Sequence, residues 1–262
     1  MARHARILQV FVSDEPALEE TVDALLPGLG AGHIVLLHPT VPPDTVRAAA
    51  GRIAATGAAV LDAPFTGSRE AAAQGRLVYY IGGDPAVLER ARRVLTASSR
   101  SIVHLGGIGE AAIFKVATNL ITATTIQALA EAVALVRAAG ADPARLEQAL
   151  ESNAARSGAV DLKLPKILSG DYDPHFSLKH MAKDMRIAAA MAEAGGADLP
   201  VLRLIRDRLR EGVDSGWGDA DFSVLARRYG FDAAPPSATV KPAPQPGAPA
   251  PAKDPQPPGS DR

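Results

Sequence analysis

Apolar positions recur in two rhythms along this chain, and the switch between them divides it. Up to residue 105, short β-rich runs alternate with stretches of helical period: ILQVFV from Ile7, HIVLLH from His33, AAVLDA from Ala58, LVYYIGG from Leu77 and SIVHL from Ser101. Between them, PALEETVDALL places Leu18, Val22, Leu25 and Leu26 on one helical face, and PDTVRAAAGRIAA repeats the pattern. DPAVLERARRVL opens with Asp84 as N-cap and Pro85 at the first helical position. Strands alternating with amphipathic helices predict a parallel, doubly wound sheet.

After Leu105 the β signal stops. A helix of about 30 residues, long for a globular protein and suited to joining two domains, is predicted from Gly109 to Ala139. Further helices are expected over Pro143 to Ser152, Gly158 to Leu168, Leu178 to Ala194 and Pro200 to Val213, with a short one near Phe222. The expected organisation is an α/β domain over 1–108, an all-helical domain over 109–231 and a Pro/Ala-rich tail over 232–262. Ten of the 21 prolines lie between Pro235 and Pro258, and Val240 is the tail's one aliphatic residue larger than alanine. Such a composition cannot offset its ordering entropy, so the tail is expected to be disordered.

Composition adds exclusions. The 262 residues are 47% hydrophobic, with 28 Lys+Arg against 29 Asp+Glu. A net charge of −1 gives no electrostatic reason for binding nucleic acid, which draws its affinity from clustered cations. With no cysteine there is no disulfide, thiolate nucleophile or sulfur-ligated metal, which suits a cytoplasmic setting. The start, MARHARILQVFV, has too short an apolar run for a signal peptide. The uncharged segment Val116 to Ala130 falls short of the roughly 20 residues that span a bilayer, so no membrane anchor is expected.

Candidate chemistry sits in a few places. Gly28, Gly30 and Gly32 precede a strand and read as a turn. Gly106-Gly107-Ile108-Gly109 stands between a strand and a helix, where backbone N–H groups can meet phosphate, although no G-x-G-x-x-G occurs in the chain. Lys115 and Asn119, four apart, project from one face of an otherwise apolar helix. A desolvated lysine there has a lowered pKa and exchanges protons near neutrality, whereas a lysine snorkelling from the helix start does neither. Thr66 and Gly67 follow a strand end, where a hydroxyl and free N–H groups can hold a carboxylate; a plain turn is the alternative. Lys179 and Lys183 share a helical face and read as solvated charges. His175 and His180, five apart, are off the spacing of metal ligands, and no metal is proposed.

Together, from about Ile7 to Leu225, these pieces resemble the β-hydroxyacid dehydrogenase family, which includes 3-hydroxyisobutyrate dehydrogenase, tartronate semialdehyde reductase and glyoxylate/succinic semialdehyde reductase. The family's Asp-Ala-Pro-x-Ser-Gly corresponds to DAPFTGS, with Thr66 for serine. Its G-x-x-G-x-G-x-x-x-K-x-x-x-N corresponds to GGIGEAAIFKVATN, with Ala111 for the last glycine. Lys183-Asp184 matches its Lys-Asp dipeptide, and GWGDADFS, Gly216 to Ser223, its closing motif. TGSREAAAQGRL and HFSLKHMAKDMRIA are more similar to the glyoxylate/succinic semialdehyde reductase branch.

The resemblance implies a Rossmann-like α/β sheet followed by an all-α domain of the 6-phosphogluconate dehydrogenase type. It implies NADP or NAD as cofactor, a small anionic hydroxy acid or semialdehyde as substrate, and a homodimer or homotetramer. It makes Lys115 the general acid/base and has Asn119 orient the substrate. Thr66 and Gly67 would bind its carboxylate, and Lys183 would stand beside both substrate and nicotinamide. Val12, Ser13 and Thr40 would border the nicotinamide half, with Pro39-Thr40 in place of the family's Ser-Thr.

The same resemblance implies that the doubly wound sheet is truncated. The sequence starts at what would be the family's fourth strand, so on the order of 60 residues, two overlapping βαβ units carrying the glycine-rich loop, are expected upstream of it. Without them the edge of ILQVFV should be unpaired. A cofactor-free module that binds carboxylates or oligomerises is the alternative function.

Overall fold

The computed structural model describes residues 4–232; the predicted disorder of the tail falls outside them, apart from Asp232. Its first part is built from β1 (Ile7–Val10), α1 (Glu15–Leu25), β2 (Ile34–Leu37), α2 (Pro43–Ala54) and β3 (Ala59–Asp62), followed by β4 (Phe65–Thr66), α3 (Arg69–Ala73), β5 (Leu77–Ile81), α4 (Pro85–Thr96) and β6 (Ser99–His104). β1, β2 and β3 pair in parallel in that order, Ile7 opposite Ile34 and Ile34 opposite Ala59. β5 and β6 are also parallel. The two groups meet through Asp62 and Gly82, whose backbones exchange hydrogen bonds of 2.9 and 2.8 Å.

All four residues of β2 are buried, as a strand covered on both faces requires. Val35 and Leu37 pack with Leu18, Val22, Val46 and Ile53 on one side, while Ile34 and Leu36 pack with Leu61, Tyr79, Leu88 and Leu95 on the other. α4 starts at its expected cap, Asp84 accepting from the Ala86 N–H at 2.7 Å, and Asp14 caps α1 by accepting from that of Ala17 at 3.1 Å. Two elements depart from expectation. β4 runs antiparallel to β5, with Phe65 opposite Tyr79, and α3 follows it at once. Both are too short to show a hydrophobic period, and for that reason Thr66 reads as a turn in the sequence. Among the described residues β1 pairs with β2 alone, so its other edge is open, and Phe11 beyond it is exposed and stacks on His38 with ring centroids 4.1 Å apart.

The second part is helical: α5 (Glu110–Ala138), α6 (Arg145–Leu150), α7 (Gly158–Ser169), α8 (Leu178–Ala194), α9 (Pro200–Gly212) and a 3-10 helix over Phe222–Tyr229. α6 starts two residues later than its proline suggests, because Asp142 takes the Ala144 N–H in a turn. Ile126, Ala130 and Val133 of α5 meet Leu164 and Ile167 of α7, Met181 and Met185 of α8, and Ile205 and Leu209 of α9 in one core. By length and composition α5 could cross a bilayer, yet one whole side of it, including Lys115, Asn119 and Gln127, is enclosed by these helices.

The GWGDADFS segment closes this core. Asp221 is wholly buried and accepts from Lys163 Nζ at 2.6 Å, from the backbone N–H groups of His175, Phe176 and Ser223 at 3.0, 3.3 and 3.1 Å, and from Ser223 Oγ at 2.7 Å. These partners, Lys163 foremost, hold its carboxyl below the usual range although burial acts the other way. Lys163→Ala would leave that charge without its counter-ion, and the expected loss is about 3–5 kcal/mol of unfolding free energy in urea. Because the Asp221 pKa is depressed, its contribution should be full above the ordinary carboxylate range and fade as pH falls through the folded value.

Candidate active site

The site begins with the way α5 is started. Asp62, the last residue of β3, sends Oδ2 to the backbone N–H groups of Gly109 at 3.1 Å and Ala112 at 3.0 Å. Gly109 itself cannot cap α5, since it has no side chain and takes φ +87° to turn the chain from β6 into the helix. A carboxylate from another strand therefore fills the place where the sequence left room for phosphate. The Gly106–Gly109 run is a turn that lets α5 approach the sheet, and two N–H groups at the start of that helix are held by this carboxylate.

One turn further, Lys115 is only 7% exposed, which excludes snorkelling. Its Nζ donates to Asn119 Oδ1 at 2.9 Å, and Asn119 Nδ2 donates to Asp184 Oδ2 on α8 at 2.6 Å. Asp184 Oδ1 lies 3.2 Å from Lys183 Nζ, which reaches back to the Thr40 carbonyl after β2. Burial pulls the Lys115 pKa down to about 8; Asp184 opposes the fall and Lys183 adds to it. The reading of Lys179 and Lys183 as a pair of solvated charges is half right. Lys179 is 54% exposed and pairs with Asp219, while Lys183 is largely buried because α8 lies along the cleft between the two parts of the molecule.

The structure thus joins Lys115, Asn119, Lys183 and Thr40 in one polar chain. Thr66 and Gly67 stand apart from it, on β4 and the turn beyond, four and five residues after the Asp62 that caps α5. Gly67 takes φ +146°, and a Cβ there would lie 2.7 Å from Leu77 Cδ2, so the close turn requires glycine. Ser68 then caps α3 through the Ala71 N–H at 3.2 Å. Across the cleft, Arg69 approaches Asp173 at 3.4 Å and Glu70 approaches His175 at 3.8 Å, tying this loop to the helical part. Ser13 Oγ donates to Asp14, whose carboxyl is lowered chiefly by the Ala17 N–H and Ser13, and less so by Lys183 and His180 across the cleft. Val12 is half-buried against the sheet core.

Sequence reasoning gave no role to Asp62 or Asp184. Asp62 was visible as a carboxylate at the end of an apolar strand, and Asp184 as an acid seated among the apolar positions of α8.

Two family models cover this architecture almost end to end. The NAD binding domain of 6-phosphogluconate dehydrogenase matches residues 1–106, and the NAD-binding domain of NADP-dependent 3-hydroxyisobutyrate dehydrogenase matches residues 109–229. An NAD-dependent L-serine dehydrogenase of Pseudomonas aeruginosa is 31% identical over 214 residues, 79% of this chain and 72% of that one. The chain belongs to the 3-hydroxyisobutyrate dehydrogenase-like family of NAD(P)-dependent oxidoreductases. Glyoxylate/succinic semialdehyde reductase 2 of Arabidopsis thaliana is 31% identical over 170 residues, 65% of this chain, which spans about half (48%) of that relative. The fold matches Mycobacterium tuberculosis 3-hydroxyisobutyrate dehydrogenase with a TM-score of 0.79 at 24% identity, over 86% of this chain and 79% of that one.

The strand ends of this family member offer the kind of place where open α/β sheets take a dinucleotide. Ser13 and Thr40 follow the carboxyl ends of adjacent parallel strands, where open α/β sheets take their ligands, and Lys183 closes over them from α8. Asp184 Oδ1 is buried and meets Lys183 Nζ as an ion pair at 3.2 Å. Among the described residues another glycine turn from a strand into a helix, Gly82-Gly83 between β5 and α4, is followed by Asp84, which takes the Ala86 N–H at the start of α4.

Because the Asp184 charge supports the ammonium form of Lys115, Asp184→Asn should lower the Lys115 pKa below its present value of about 8. The measurement is the pH dependence of the Lys115 side-chain NMR signal, with Lys115→Met to assign it.

Proposed function

We propose that this protein interconverts a short hydroxy acid and its semialdehyde or oxo acid with NADP or NAD, as a reductase of the glyoxylate/succinic semialdehyde or 3-hydroxyisobutyrate type. The observation that carries this reading is Lys115, a buried amine with a pKa near 8, fixed by Asn119 at the cleft between the two parts. The α/β domain, 1–108, supplies the substrate and nicotinamide walls, and the helical domain, 109–231, supplies the proton-transfer group. A nicotinamide bound there would supply hydride to the substrate carbon or accept it.

In the reductive direction Lys115 gives its proton to the alkoxide oxygen as it forms; in the oxidative direction the neutral amine takes it back. Asn119 holds the amine through Oδ1 and orients the substrate oxygen. The Thr66 hydroxyl and the N–H groups of the Gly67 turn bind the carboxylate, with the threonine methyl narrowing the pocket beside it. Lys183 anchors the cleft from the helical side, and Val12, Ser13 and Thr40 border the nicotinamide. A cytoplasmic setting suits a soluble cofactor and substrate.

Self-association through α5 completes the proposal. Phe114, Ile121 and Leu135 repeat at seven-residue intervals, with Ala128 in the place between, and Ile121 and Leu135 are 67% and 70% exposed. A seven-residue apolar seam suits a second α5 from another copy. The expected oligomer is a homodimer or homotetramer by light scattering, converted to monomer by Ile121→Glu.

Turnover tests the reading directly. With glyoxylate or succinic semialdehyde and saturating NADPH or NADH, the chain should oxidise the reduced nicotinamide, and Lys115→Met should lower kcat by about 10²–10⁴-fold. Since reduction needs the ammonium, its kcat should fall as pH rises through about 8, while oxidation, which needs the free amine, should rise over the same interval. A well-folded chain that binds carboxylates but gives no turnover with either nucleotide would favour the cofactor-free module.

A further inference from the structure

Asp62 is wholly buried, carries a charge, and has no part in the proton transfer described above. Its position is unusual, because it belongs to both halves of the site. Its backbone exchanges hydrogen bonds with Gly82, fixing the end of β3, and β4 with Thr66 begins three residues later. Its Oδ2 holds the N–H groups of Gly109 and Ala112, the second of which lies three residues before Lys115. Its Oδ1 is buried with no hydrogen-bond partner. One carboxylate oxygen thus does the work while the other has nothing to stabilise it, an arrangement that a purely structural cap does not need.

We propose that Asp62 is a positioning residue for proton transfer: its ionised carboxylate fixes the first turn of α5 so that Lys115 is aimed into the cleft, and protonation of Asp62 releases that turn and slows the reaction. The proposal rests on the reading of Lys115 as the proton donor. Displacements of about 1 Å at such a group cost on the order of a hundredfold in rate, so a loosened first turn is enough to matter.

The charges around Asp62 are few. Arg47 on α2 supports its ionised form; Glu110 and Lys115 are the neighbouring charges on α5. His38 and His104, which follow β2 and end β6, turn to the carbonyls of Ala63 and Gly83. β5 carries no charged residue, and Glu89, Arg90, Arg92 and Arg93 of α4 are exposed to solvent. Burial outweighs Arg47 and the two N–H groups and pushes the Asp62 carboxyl up to about 6, which brings its protonation within reach of ordinary conditions.

The test reads the cap itself, in the chain without cofactor. In proton–nitrogen NMR spectra the amide protons of Gly109 and Ala112 should move together with a midpoint of about 6, and stay still in Asp62→Asn, which keeps one oxygen acceptor. In the reductive assay, wild-type kcat should fall several-fold as pH drops through the same midpoint with KM for the carboxylate substrate nearly unchanged. Asp62→Asn should show a lower kcat that no longer depends on pH there, at a thermal midpoint no lower than that of the wild type. Amides that fail to titrate, or an Asp62→Asn variant that keeps the wild-type acid limb, would overturn the proposal. A wild-type chain without turnover would count against the hydride-transfer reading instead, and the amide titration would still decide the role of Asp62.

Discussion

Burying one amine, Lys115, is the constraint on which the site depends. A lysine enclosed by apolar helices loses most of its hydration, and without polar partners it would simply be expelled or neutralised. Here Asn119 accepts its hydrogen bond, Asp184 holds Asn119 from α8, and Lys183 links Asp184 to the carbonyl of Thr40 on the far side of the cleft. The chain of partners that makes the buried amine tolerable is therefore also what docks the helical domain against the carboxyl ends of the strands. Domain packing and the titration of Lys115 share the same atoms, so a change that loosens one alters the other.

Much of this was legible beforehand, for physical reasons. Every strand longer than two residues announced itself through an apolar run, and α8 lies over Leu178–Ala194 as its period predicts. Lys115 and Asn119 stood out because two polar residues at helical spacing in an apolar helix need an explanation. What stayed hidden was pairing across distance. Nothing local distinguishes Lys183, which is enclosed, from Lys179, which is solvated, since the difference lies in where α8 meets the loop after β2. Likewise the Gly106–Gly109 turn looked free to take an anion, because its actual acceptor, Asp62, lies 47 residues away in sequence.

The buried ionic groups of this protein fall into two kinds, and the contrast separates architecture from chemistry. Asp221 receives five donors, its lone pairs are spent, and its carboxyl is held below the usual range. It behaves as a rivet for the helical core. Asp62 receives two donors on one oxygen and none on the other, and its carboxyl is displaced from 3.8 to about 6.

That displacement has a sign. A carboxyl raised on folding adds stability below its unfolded pKa, and the gain is lost as pH rises through the folded value, so at neutral pH the ionised Asp62 is held at a cost on the order of 3 kcal/mol. Lys115 makes the complementary case, a cation whose pKa is lowered and whose charge the fold likewise supports incompletely. Two under-satisfied groups of opposite sign, attached to the same first turns of α5, are poor choices for stability alone. A fold seeking only stability would give Asp62 the shell that Asp221 has, or replace it with a neutral cap. Their presence at the end of β3 and in the first turns of α5 suits the proposed proton transfer, in which Lys115 titrates near neutrality and its helix is held in a defined place.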